Sequence, residues 1–132
     1  MDRPFRPVEN ETRETDMQYM LAIYEDHAAY ADERAMADII RAHGAYSEML
    51  AKAGVIRGGE GLAGSEDAKT VRRTGCRNAI HDGPYAEMQE QLGGFYIIEA
   101  DSMDEALDWA AKMPMVGDGS VEVRPCLDVP SD

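Results

Sequence analysis

A histidine in RAHGAYSEML, an isolated glutamate in GGEG and a histidine–aspartate pair in HDGPYAE are the side chains best suited to moving protons. His43 follows Ile39 and Ile40 by four and three positions and precedes Tyr46 by three. In a helix these residues share one stripe, so His43 faces inward. An inward imidazole suits general acid–base work, because burial or a neighbouring carboxylate moves its pKa across neutrality. The same placement also describes a partly buried histidine that only satisfies its hydrogen bonds. Gly44 beside it costs a helix roughly 1 kcal/mol relative to alanine and marks a close approach, by a ligand or by packing.

Glu60 stands between Gly59 and Gly61, where the backbone can come near a ligand and the carboxylate could orient His43. Asp82 precedes Gly83-Pro84, where an aspartate accepts N–H bonds from a turn or from a first helical turn opened by the proline. On that reading Glu87 and Glu90 are solvated charges favoured near a helix start, and Gly93-Gly94 frees the backbone to enter a strand. The competing reading makes Asp82, Tyr85 and Glu87 a pocket wall. Tyr46 would shape such a pocket, and Arg124 could hold an anionic group or pair with Glu122 on its own strand face. His43, His81, Asp82 and Glu60 are plausible ligand types for a metal, but their spacing matches no metal signature, so no metal is expected. GGEG lacks the lysine and following helix of a phosphate loop. The acid–base chemistry needs no cofactor.

The totals narrow the partners. The chain has 132 residues, enough for one domain with a modest core. Its 26 acidic and 13 basic residues leave a net charge of -13, which repels nucleic acid and anionic membranes. Cys76 and Cys126 have no CxxC spacing, so neither a zinc knuckle nor a disulfide framework is suggested, and a reducing cytoplasm fits. No apolar signal segment or spanning run is evident. The charged and proline-bearing residues 1–16 read as a flexible tail, or as an arm ordered by a partner subunit, and 129–132 as a short C-terminal tail. The domain is placed at 17–128. The nine methionines read as adaptable filling.

These side chains need elements to hold them. The apolar run QYMLAIY predicts a strand over 18–24, and 32–53 carries Met36, Ile39, Ile40, Tyr46 and Leu50 at helical spacing before Gly54. The glycine-rich 54–64 predicts a short irregular strand. Residues 70–74 and 77–80 form a hairpin around Gly75-Cys76, and GFYIIEA a central strand over 94–100. Ser102-Met103-Asp104-Glu105 is a capping box opening a helix that Pro114 ends, with Met103, Leu107, Ala110 and Met113 inside and Trp109 on the flank. A half-buried strand follows over 121–126.

That order implies an α+β, ferredoxin-like subunit in which two helices cover one face of a mostly antiparallel sheet. The strands at 18–24 and 94–100 read as buried on both sides, so a second copy is expected to cover the other face as a homodimer.

The string DGPYAEMQEQLGGFYIIEADSMDEALDWAAKMP over 82–114, with GSVEVRP, YMLAIY and AGVIRGGEGL, resembles the YCII-related family and specifically its DGPF branch. Tyr85 stands where that branch usually has phenylalanine. The resemblance implies a dimeric α+β barrel of ferredoxin-like subunits and a pocket histidine on the first helix, which His43 matches by position. Lys52 in LAKAG stands where relatives offer an aspartate, so Asp82 or Glu60 is the expected partner. The expected function is small-molecule binding, with His43-dependent elimination or isomerisation as its chemistry. The alternative is a non-catalytic dimeric module, regulatory or ligand-binding, linked to extracytoplasmic-function sigma factors.

Overall fold

The computed structural model describes residues 17–128, so the expected tails at 1–16 and 129–132 lie outside the described residues. Six strands and two helices follow in the order β1 (Met17–Asp26), α1 (Glu33–Lys52), β2 (Ile56–Gly61), β3 (Lys69–Thr74), β4 (Arg77–Asp82), β5 (Glu90–Ala100), α2 (Met103–Ala110) and β6 (Gly119–Pro125). Four strands form one antiparallel sheet in the order β2-β5-β1-β6, while β3 and β4 pair only with each other. The architecture is α+β with two helices and antiparallel sheets, compatible with a ferredoxin-like fold. No helix among the described residues is long and apolar enough to cross a membrane.

Alternation along β1 builds the core. Met17, Tyr19, Leu21 and Ile23 all point to the helix side and are buried, as are Tyr96, Ile98 and Ala100 across the sheet on β5. Tyr46 and Leu50 of α1 and Ala106, Ala110 and Met113 from the α2 side close over them. Helix α1 starts where Asp32 accepts a hydrogen bond from the Arg34 N–H (3.1 Å), and Gly54 leaves it at φ 76°. At α2 the forward bond of the capping box forms, Ser102 Oγ accepting from the Glu105 N–H, while the Glu105 carboxylate reaches one residue past the cap and accepts from the Asp101 N–H.

Several expectations are corrected. The strand over 18–24 extends to Asp26, and the one over 94–100 begins at Glu90, because the two chain ends continue to pair. Gly93 lies inside β5 rather than before it: Ile23 pairs with Gly94 and Tyr24 with Leu92, leaving Gly93 as the extra residue of a bulge. No helical turn follows Pro84. The Gln91 side chain donates instead to the carbonyls of Ala86 (3.0 Å) and Met88 (2.6 Å), which pins 83–89 as a loop. Asp82 caps no turn, since its carboxylate takes the Lys69 ammonium at 2.7 Å across the β3–β4 pair. The buried stripe of α2 runs through Ala106 and Ala110, and Leu107 is 47% exposed.

The hairpin forms around Gly75 at φ 63°, and Cys76 is exposed at its turn. Every residue of β3 and β4 except Thr70 is exposed.

Candidate functional site

A cavity of about 660 Å³ opens between α1, the far end of β1 and the β2 and β5 strands. Its position follows from the glycines around it. Gly59 has φ 150°, and a Cβ there would sit 2.6 Å from the Phe95 carbonyl oxygen and 3.3 Å from the Tyr96 ring. A Cβ on Gly93 would meet Glu25 Oε2 at 2.7 Å and His27 Nε2 at 3.4 Å. Side chains at these positions would fill the space or displace the groups that line it.

At one end, His43 of α1 places Nδ1 2.8 Å from the Tyr96 hydroxyl, with the two rings stacked at a centroid distance of 5.9 Å. Burial pushes the His43 pKa below the ordinary histidine value, while the charge of Glu25 and the Pro114 carbonyl push it back. Burial raises the Tyr96 pKa, against a hydrogen bond from Ser47 that favours the phenolate. With its proton on Nε2, a neutral imidazole accepts at Nδ1 from the Tyr96 O–H. Tyr46 packs edge-on to Tyr96 at 5.1 Å, and its hydroxyl donates to the Trp109 carbonyl at 2.7 Å. Its own pKa is pushed up to about 12, mainly by burial.

At the other end, Glu25 continues the inward phase of β1 and is only 6% exposed. The Tyr30 hydroxyl donates to its Oε1. Burial first, and then the bond and charge of Glu25, raise the Tyr30 pKa. The turn that carries Tyr30 is held by Asp26, which accepts from the Ala28 N–H at 3.0 Å and from Gln89 at 3.0 Å. Nδ1 of His27, also on this turn, lies 3.4 Å from the Ser65 N–H.

His43 and Glu60 of the expected site residues both line this cavity. The register pairs Glu60 with Phe95, one step out of phase with Gly59 and Tyr96, so its side chain leaves from the opposite face of the β2 edge. Tyr46 lies beneath the cavity as a buried support. The remaining four are elsewhere. Asp82 is bound to Lys69 at the base of the hairpin, with its side chain 85% exposed. Tyr85 is exposed beneath the Arg72 guanidinium, and Glu87 is exposed in the 83–89 loop. Arg124 pairs with Glu122 at 2.5 Å on β6. Among the described residues no group of three or more histidine, cysteine or acidic side chains is placed to hold a metal.

Sequence reasoning did not single out Glu25, Tyr30, Ser47 or Tyr96. For Glu25 a signal existed, because the alternation Met17, Tyr19, Leu21, Ile23 reaches it without interruption. Tyr96 carries the same signal within β5. Tyr30 carries none, since its contact with Glu25 depends on the turn.

A protein of Rhizobium meliloti (strain 1021), itself described only as uncharacterised, is 47% identical over 60 residues. That match covers 44% of this chain and 48% of the relative, so it spans about half of that protein's length. The YCII-related domain matches residues 17–130, nearly the whole chain. The two-helix α+β subunit with its histidine-bearing cavity therefore belongs to the YCII-related family.

Proposed function

We propose that this protein is a small-molecule-binding member of its family, and that His43 transfers a proton in the cavity through Tyr96. The observation that carries the reading is the 2.8 Å contact of His43 Nδ1 with the Tyr96 hydroxyl at the wall of a 660 Å³ cavity. A general base must be neutral before it acts, and burial favours that form of His43. As Tyr96 takes a proton from a bound molecule, its own proton passes to Nδ1, so the phenol ends neutral, the imidazole becomes imidazolium and the molecule keeps the electron pair of the broken bond. Return of the proton to another atom of the same molecule gives isomerisation, and loss of a leaving group gives elimination. Neither requires a cofactor.

A fragment library followed by melting temperature and by the His43 ring resonances tests this. Binders are expected to move those resonances, and any turnover they show should fall by about 10²–10⁴-fold in His43→Gln. Binders that map elsewhere, or turnover that survives His43→Gln, would overturn it. A binding module without chemistry is favoured by one observation: Nδ1 of His43 is already engaged by Tyr96. A regulatory role beside sigma factors belongs to that second reading.

The DGPYAEMQEQLGGFY string supports placement in the DGPF branch. A homodimer is supported by the outer face of the sheet, where Met20 pairs with Ile97 and Ala22 with Phe95 to form an apolar strip. Light scattering should give twice the 14.6 kDa of one chain; a single-chain mass would remove the dimer. A cytoplasmic location is proposed from the two free thiols, Cys76 and Cys126.

A further inference from the structure

Resting on the cavity reading above, we infer that the ligand is an organic amine whose ammonium group is taken by Glu25. Only one oxygen of this deeply buried carboxylate is engaged, Oε1 by the Tyr30 hydroxyl. Oε2 faces the bulge at Gly93, and no donor among the described residues bonds to it. A buried carboxylate with an unmet oxygen is costly unless a donor arrives. Here the oxygen borders the cavity, where a ligand can supply that donor.

The lining selects the sign of the ligand. Among the described residues neither lysine nor arginine lines the cavity, while Glu25 and Glu66 both do. The Glu66 carboxylate lies over Gly64, 2.5 Å from where a Cβ would stand. An anionic ligand would enter without a fixed cation to meet it and against the net charge of -13. An ammonium gains a charge-assisted bond at Glu25. Its hydrocarbon part has a complementary wall in Met36, Ile40 and Leu62, which line the cavity yet are 39%, 63% and 45% exposed. Large apolar side chains left open at the rim of a cavity are what an amphiphilic amine would cover.

Three probes of one shape read the charge preference by calorimetric titration: cyclohexylmethylamine, cyclohexylmethanol and cyclohexanecarboxylate. The amine should bind at least about tenfold more tightly than the alcohol, with no measurable binding of the carboxylate. In Glu25→Gln, its fold checked by circular dichroism, the amine and alcohol should bind alike. Should that variant not fold, Gly93→Ala crowds Oε2 and should weaken the amine while sparing the alcohol. Equal or tighter binding of the alcohol or carboxylate to the unmodified protein overturns the amine assignment and leaves the cavity reading intact. An amine preference that persists in Glu25→Gln, or in Gly93→Ala where only that variant folds, overturns the role of Glu25. If no probe binds or moves the His43 resonances, both readings fall.

Discussion

At the His43 end of the cavity two polar groups are paired with one another, the Tyr96 hydroxyl with Nδ1 of the imidazole. At the Glu25 end a buried carboxylate has one oxygen bonded and the other directed at a bulge. The first arrangement rests on a regular helix facing a regular stretch of strand. The second needs an interruption, since only the missing side chain at Gly93 leaves space for the carboxylate. The comparison teaches that proton handling and charge recognition have separate structural supports here. Substitution can therefore disturb one end and leave the other in place.

The largest expected effect sharpens the part of the comparison that concerns the wall beside Tyr96. Gly59→Ala forces a side chain into φ 150° and against the Phe95 carbonyl, and should cost on the order of 3 kcal/mol in urea unfolding. A loss below about 1 kcal/mol would mean that the strand edge yields easily.

Next comes Gly93→Ala at the opposite end, with an expected loss of roughly 2 kcal/mol because its Cβ would meet Glu25 Oε2. The loss should shrink when Glu25→Ala is added, and a strictly additive double mutant would break the claimed link between bulge and carboxylate.

Gly44→Ala has the reverse sign. It lies in the interior of α1 with nothing within 4 Å of an added Cβ, so stability should rise by up to about 1 kcal/mol. A destabilised protein would show that the His43 end tolerates less than its regular backbone suggests.

The smallest effect is electrostatic. The His43 pKa is held below the ordinary 6.5 by burial, so the unfolded chain binds the proton more readily. Stability present above pH 6.5 is then lost as pH falls toward and through the folded value. The urea midpoint should drop between about pH 7.5 and pH 5.5, and drop less in His43→Gln. In Glu25→Gln the His43 titration followed by NMR should move lower still, because the charge that opposes burial is gone. An unmoved titration would show that the two ends are not electrically connected.

Much of the fold could be read from local patterns. Gly54 and the Ser102 box mark helix limits through short-range chemistry, and the structure uses both. The candidate site was legible at His43, where helical spacing decides direction, but not at its partner. Asp82 drew attention through its turn-like neighbours, whereas its nearest opposite charge, Lys69, becomes adjacent only when the hairpin pairs. Glu25 lies just past the apolar run at 18–24, although strand alternation extends to it. The bulge at Gly93 depends on how β5 meets β1, and nothing local to LGGF distinguishes an interrupted strand from one about to begin.

The hairpin of β3 and β4 has little beneath it: its rungs are mutual, and its base is tied by the Gly83 N–H to the Ala68 carbonyl and by the Thr70 hydroxyl to the Gly83 carbonyl. A two-stranded ribbon on its own is marginal in water. The ribbon should thus breathe as its own unit, exchanging its amide protons far sooner than the four-stranded sheet. Its opening would leave the depth of the cavity untouched.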